Sequence, residues 1–389
     1  MSDEAGQAAR FLDGLLAELY RRSGAPASAA PGLLPVIDDP VVAREVLARP
    51  EAFVKNYAFL EALARGRFTA NGDAWRAHAG LTAGWYRAAH RQVDAADARA
   101  IYLRHLAAGG ELDAAGLYAR FTAAAVEVFS RAIGLDAPLA WPPALLARMR
   151  ETLRLRQWID WNGCAPGLLE RVQEGLRGLR EEVRAAWEGD AASTRLLAEL
   201  QARGAPIAGF DAAEELIQNV LASSETTASS LLWGAEALGC QPQVQERLAA
   251  GGAGLDGFIA EVLRMFPPVP YLTRRCLADT EAGGRLWRAG EVLSISVVGI
   301  HRHPDYWRAP AQFDPHRPEF AADATPLAYL PFSRGERVCA GMRLARIELR
   351  AGMEALLATR RCVAGAAPTR FGYGLSSYPK TALRALKRV

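Results

Sequence analysis

The sequence predicts a mainly α-helical protein, a large helical body with a small β-sheet region. Helical composition dominates residues 75–135, 141–160 and 166–204. Residues 211–240 look like one long helix with almost no charge. Strand signals are short and confined to a few places, chiefly near 293–298 and 370–388.

Taken in order, residues 4–22 read as an amphipathic helix and residues 31–38 as a short strand. Asp39-Pro40 opens a helix ending near Arg49-Pro50, with proline at the first helical position, where its missing N–H is no loss. Asp211 can cap the long helix, and Glu214 holds the third helical position, as in a capping box. From Leu216 to Ala235 the only ionisable residue is Glu225, so the helix should be buried on most sides. Its run of serines and threonines makes it too polar for a membrane. Leu293, Ile295 and Val297 alternate with Ser294, Ser296 and Val298, which predicts a half-buried strand. The turns Gly283-Gly284 and Ala289-Gly290 flank that region, and residues 370–388 can hold another hairpin. No repeat or low-complexity linker divides the chain, so residues 1–389 are read as a single domain.

Composition excludes several classes of function. Half the residues are hydrophobic and 23% are charged, as in a globular protein. Lys plus Arg number 46 against 43 Asp plus Glu, which gives no reason to expect nucleic acid. The five cysteines are scattered and never spaced as CxxC, so neither a disulfide framework nor a structural zinc site is expected. The N-terminus lacks a basic stretch followed by an apolar one, and no run of about 18 apolar residues occurs. No membrane span is expected, and the reading is a soluble, cytoplasmic protein.

The sharpest local signal is Pro331-Phe332-Ser333-Arg334-Gly335-Glu336-Arg337-Val338-Cys339-Ala340-Gly341. An irregular stretch leads into a helix from about Met342 to Thr359. Cys339 therefore sits just before a helix N-terminus, where free N–H groups favour a thiolate. Gly335 and Gly341 allow tight turns and close approach of a flat ligand. Arg337 can reach a carboxylate on that ligand. Cys339 could instead be an inert buried thiol. Glu261 and Arg264, three apart on a helix ending at Phe266-Pro267-Pro268, can pair on one face. Glu225 on the long helix is a buried carboxylate, which needs a reason.

These segments, in this order, resemble the cytochrome P450 superfamily. Phe332 to Gly341 is similar to its haem-binding loop, Phe-x-x-Gly-x-Arg-x-Cys-x-Gly, with Ser333 where many members have glycine. Glu261-Val262-Leu263-Arg264 resembles the family Glu-x-x-Arg, and Phe313-Asp314-Pro315-His316-Arg317 supplies the later arginine as Arg317. Ala222-Ser223-Ser224-Glu225-Thr226-Thr227 is similar to the oxygen-activation motif, with Ser223 in place of glycine. Gly72-Asp73-Ala74-Trp75-Arg76-Ala77-His78-Ala79 resembles the family Trp-x-x-x-Arg helix, except that Ala79 holds the arginine position and a one-residue shortening puts His78 there.

The resemblance implies haem b (iron protoporphyrin IX) with Cys339 as the iron ligand. It implies cofactor contacts from Trp75, His78, Ala222, Arg274, Phe332, Arg337 and Gly341, with Arg275 the alternative to Arg274. Glu225 and Thr226 are then the catalytic acid and alcohol. The implied activity is monooxygenation by O2 of a hydrophobic small molecule, such as a natural-product intermediate in secondary metabolism. Electrons would come from an external ferredoxin and ferredoxin reductase, for which Arg343, Arg346 and Arg350 on one helix face, with Arg334 nearby, offer a docking patch. Oxidative coupling, cyclisation, peroxide-driven chemistry and non-catalytic haem sensing are the other readings.

Overall fold

The computed structural model describes residues 2–23, 35–164, 167–321 and 326–388. The chain opens with α1 (Ser2–Arg22). Of the expected strand 31–38, residues 31–34 lie outside the described residues and β1 covers Val36–Ile37. α2 (Pro40–Leu47) starts as read, with the Asp39 carboxylate accepting from the Val41 and Val42 N–H groups. β2 (Phe53–Lys55) and α3 (Ala58–Glu61) follow. The helical expectation over 75–135 resolves into α4 (Gly72–Gln92), α5 (Ala95–Ala107) and, after β3 (Leu112–Asp113), α6 (Ala114–Ala132). Asp94 and Asp97 form a capping box that starts α5, and Asp113 caps α6. α7 spans Pro143–Asn162. Residues 166–204 hold two helices, α8 (Leu168–Glu188) and α9 (Ala191–Gly204), because Asp190 caps the second.

α10 (Ala212–Cys240) is the long central helix, packed against α6 and buried along nearly its whole length. Asp211 accepts from the Glu214 N–H, but the capping box is half made. The Glu214 carboxylate turns instead to Arg180 Nη1 and the Arg65 N–H, both at 2.6 Å. In the middle of the helix only Ala222, Ser223 and Thr226 keep exposed surface, and all three line the central cavity. A buried helix is thus open at one place.

α11 (Pro242–Ala249) and α12 (Leu255–Met265) lead to the main sheet. This adds β4 (Tyr271–Cys276), the hairpin β5 (Thr280–Ala282) with β6 (Arg285–Trp287), and β7 (Val292–Ser296). The four-stranded order is β1-β7-β4-β2. β7 departs from the expected half-buried strand: Ser294 and Ser296 are as buried as Leu293 and Ile295. It lies between β1 and β4 with both faces covered, so alternation loses its meaning. It also stops at Ser296, whose hydroxyl accepts from the Gly299 N–H and opens α13 (Val297–Ile300). After α14 (Pro318–Ala321), α15 (Met342–Thr359) has the expected bounds and packs on α5 and α10. β8 (Arg360–Val363) precedes the hairpin β9 (Arg370–Tyr373) and β10 (Ser377–Lys380). β11 (Arg384–Lys387) returns to pair with β8 and β3.

Candidate active site

α10, β4, the loop before α15 and the chain from Lys55 to Trp75 enclose a largely apolar cavity. It holds about 1940 Å³ of space not filled by atoms, its mouth included. Phe59, Phe68, Phe129, Val269 and Leu375 are among its walls.

The cysteine loop is held by its backbone. The Cys339 N–H donates to the Phe332 carbonyl at 2.9 Å, and the Met342 N–H reaches the Cys339 carbonyl as α15 begins. Gly335 has φ +73°, and a Cβ there would meet the Leu47 carbonyl oxygen at 2.4 Å, so only glycine fits. Ser333 also has positive φ, 62°, and its hydroxyl is buried without a hydrogen-bond partner among the described residues. The family glycine at this position therefore has a conformational reason. Gly341 does not: its φ is −84°, and an added Cβ would make only ordinary contact with Tyr86. Cys339 exposes its surface to the cavity that it lines and is otherwise enclosed. Burial pushes its thiol up, opposed by the Gly341 N–H and the cations of Lys55 and Arg67. A thiolate here therefore needs a bound cation to hold it.

Four cations line the same cavity: Lys55, Arg67, Arg274 and Arg337. None forms an ion pair with a carboxylate among the described residues. Lys55 faces Arg274 across the β2–β4 ladder, a like-charge pair that costs stability. Burial and the other three cations push the Lys55 ammonium well down. Burial, then Arg274, brings Arg337 down to about 10. Several cations rest on aromatic faces instead: Arg337 lies 4.6 Å from the Trp75 ring centre and Lys55 lies 4.1 Å from that of Phe68. Such an arrangement is built for an anion that the chain itself does not supply.

On α10, the Thr226 hydroxyl donates to the Ala222 carbonyl at 2.9 Å. Glu225 also lines the cavity and is 2% exposed. Its Oε2 accepts from the Tyr118 hydroxyl at 3.1 Å and lies 2.9 Å from Arg150 Nε. Its Oε1 is buried with no hydrogen-bond partner among the described residues. Burial raises the Glu225 carboxyl against the pull of Arg150 and Tyr118, so it takes up a proton more readily than a surface glutamate.

Behind the loop, Arg264 meets both Glu261 oxygens at 2.7 Å, and Arg317 Nε reaches Glu261 Oε1 at 2.9 Å. His301, which sequence reasoning did not single out, joins this cluster to the loop. Its Nδ1 donates to the Arg264 carbonyl (3.1 Å), and its Nε2 accepts from the Leu330 N–H (2.8 Å). Burial pushes its imidazole down to about 3, so it stays neutral and keeps both roles.

Of the residues named from the sequence, Trp75, Ala222, Glu225, Thr226, Arg274, Phe332, Arg337, Cys339 and Gly341 all line one cavity. His78 is not brought there. Its Nδ1 is held at 2.6 Å by Glu215 Oε2 on α10, and its ring lies against Phe210. The cations that sequence reasoning missed are Lys55 and Arg67. Lys55 carried a signal, being the only lysine before Lys380 in a chain that otherwise uses arginine. Glu348 was missed too. It is a buried carboxyl on α15 that lines the cavity, with Tyr102 as its hydrogen-bond donor, and burial raises it well above the usual range.

Fold and site together define a helical protein that presents a cysteine thiol and a cluster of unneutralised cations to one enclosed, mostly apolar cavity. A family model described as Cytochrome P450 matches residues 255–361. Cyclooctat-9-en-7-ol 5-monooxygenase of Streptomyces melanosporofaciens is 31% identical over 51% of this chain and 44% of its own length. Cytochrome P450 4A24 of Sus scrofa is 31% identical over 47% of this chain and 40% of its own. The matched part is thus less than half of either relative. A 6-coordinated cytochrome P450 from Thermus thermophilus superposes with a TM-score of 0.73 at 22% identity, over 97% of this chain and 98% of that one. A mutant of P450 EryK in complex with erythromycin B gives 0.69 at 21%, over 96% of each. The chain has the cytochrome P450 fold, and residues 255–361 match that family's model. Proteins of that family bind haem b. The cavity suits the group: Cys339 offers the ligand, and the unpaired cations answer its two carboxylates.

Proposed function

We propose that the protein is a haem-thiolate monooxygenase that uses O2 to insert one oxygen atom into a hydrophobic small organic molecule. The observation that carries this reading is the single opening of α10. Ala222, Ser223 and Thr226 are its exposed residues, and they share a cavity with the Cys339 thiol. Thiolate-ligated haem, when bound, supplies the oxidising power, because the thiolate pushes electron density towards O–O cleavage. Cys339 would hold the iron, and Arg274, Arg337 and Lys55 would hold the carboxylates.

The remaining work falls to the chain. Apolar walls exclude water and seat the substrate. The Thr226 hydroxyl can turn from the Ala222 carbonyl to donate into the cavity. Glu225 Oε1, unpartnered and raised by burial, can carry a proton on the same stretch of helix. Thr226→Ala should leave haem content and substrate binding nearly intact while product per reducing equivalent falls several-fold and peroxide rises. Wild-type coupling in that variant would reject the role. Glu225→Gln should slow turnover and change its solvent isotope effect.

The name of the Streptomyces relative and the erythromycin B in the EryK structure support a natural-product intermediate as substrate. Among the described residues no helix is long and apolar enough to cross a membrane, in keeping with a cytoplasmic enzyme served by a ferredoxin and its reductase. Arg343 and Arg346 lie on α15 just after the cysteine loop and suit an acidic donor. Arg350 is already engaged by Asp256 and Glu354, which removes it from the patch. Reversing the charges of Arg343 and Arg346 should slow reduction by ferredoxin about tenfold at low salt and flatten its salt dependence. Unchanged stopped-flow kinetics would move the docking site elsewhere.

A further inference from the structure

The amphipathic stripe of α1 packs against residues that form the cavity wall. Leu12, Leu16, Leu19 and Tyr20 cluster with Tyr271, Val298 and Tyr373, and the Tyr20 ring stacks on Phe371 with 3.9 Å between centres. Tyr271 and Tyr373 also line the cavity.

The hairpin β9–β10 is a sheet of two strands. Such a hairpin is marginal by itself in water, so it takes its position from what it touches. Its second strand is tied into the core. Ser377 donates from its N–H to the Pro268 carbonyl and from its hydroxyl to the Pro267 carbonyl, both at 2.8 Å. The Ser376 hydroxyl reaches the Glu225 carbonyl at 3.3 Å. The first strand is held by α1. Asp13 Oδ1 accepts from the Tyr373 N–H at 2.9 Å and lies 3.4 Å from Arg154 Nη2 on α7, while Oδ2 meets Lys380 Nζ on β10. The Arg154 stem lies over the turn, its Cδ 3.6 Å from where a Cβ on Gly374 would stand. One half-buried carboxylate thus joins α1, α7 and both strands beside Tyr373 and Leu375, which line the cavity.

We propose that Asp13 is a positioning residue for substrate selection: it fixes how far Tyr373 and Leu375 reach into the cavity, and so sets the length of substrate accepted. This rests on the haem-thiolate reading of the cavity and names what limits its reach. Partly exposed ion pairs of this kind add little stability, so the fold does not depend on them. A carboxylate on a backbone N–H is the stronger bond, and it acts on the first strand alone. Without it that strand can open locally while Ser376 and Ser377 keep the second in place. The wall then recedes, and the cavity loses its stop.

The test measures length directly. 1-Alkylimidazoles of graded chain length bind a haem iron through the unsubstituted ring nitrogen, and binding is read from the shift of the Soret band in the holoprotein. In the wild type, affinity should rise about fourfold per methylene until the chain meets Tyr373 and Leu375, and then break. In Asp13→Ala, imidazole should bind as before, the break should move to longer chains, and the longest probes should gain about tenfold relative to imidazole. Asp13→Asn keeps an acceptor for the Tyr373 N–H and should restore most of the wild-type break. If Asp13→Ala does not fold, Asp13→Ser makes the same comparison, since its hydroxyl is too short to span the gap. Hydrogen exchange reads the hold without the haem: residues 370–376 should exchange about tenfold faster in Asp13→Ala, with 360–363 and 384–387 unchanged. A wild type without a break would overturn the proposal. So would a break that stays in place in Asp13→Ala, an equal loss of imidazole and long probes, unchanged exchange over 370–376, or failure of both variants to fold. Absence of a Soret shift with imidazole in the wild type would instead reject the haem-thiolate reading, and the exchange result would still decide whether Asp13 holds the hairpin.

Discussion

Cys339→Ala should abolish the red-shifted Soret band of the reduced carbon-monoxide adduct and with it oxygen-dependent turnover. Cys276→Ala and Cys362→Ala should keep both. Those two thiols are buried in cores away from the cavity, whereas Cys339 is the cysteine that lines it. The protein should still fold, because the loop is held by the Phe332–Cys339 backbone bond and by Gly335 rather than by the thiol. A second outcome follows from the raised thiol. Ligation replaces the proton on sulfur, so haem uptake by the apoprotein should strengthen as pH rises towards the thiol pKa, by up to about tenfold per unit. Cys339→Ala should flatten that slope. A thiolate band that persists in Cys339→Ala would refute the ligand assignment.

The parts of this site that are legible in the sequence are those whose geometry is local. The loop from Phe332 to Gly341 carries its meaning in spacing within one turn and one helix start. The burial of α10 follows from the absence of charge between Leu216 and Ala235, apart from Glu225. The parts that are not legible depend on distant partners. Lys55 meets Arg274 at the cavity only because β2 pairs with β4, which lies far along the chain. His78 lies close enough to Trp75 on α4 to invite a place in that cavity, yet Glu215, on another helix, takes its imidazole. The alternation in Leu293–Val298 describes a half-buried strand correctly in isolation and fails once both faces of β7 are covered. The bridging role of His301 gave no signal, since its two bonds join a helix end and a loop that only the fold brings together.

The other large effect should come from the buried cluster behind the loop. Glu261 and Arg264 are fully enclosed, and Arg317 nearly so. Arg264 also donates to the carbonyls of His301, Pro310 and Gln312, so one guanidinium ties α12 to the segment that leads into the cysteine loop. A buried pair of this kind adds little net stability compared with apolar residues, but breaking it strands a charge. Arg264→Met leaves Glu261 with Arg317 alone and removes the donor to those carbonyls. It should cost about 3–5 kcal/mol, a large share of the stability of a typical domain. Glu261→Gln keeps the shape and weakens both arginine contacts, and should cost less. Because His301 passes the cluster's position to the Leu330 N–H, partial loss should appear first as weaker haem retention, before the helical core melts. Thermal unfolding followed at the Soret band and by far-ultraviolet circular dichroism separates the two events. In Glu261→Gln the Soret transition should move below the helical one. If the two transitions stay together in that variant, and Arg264→Met melts close to the wild type, the cluster does not support the loop.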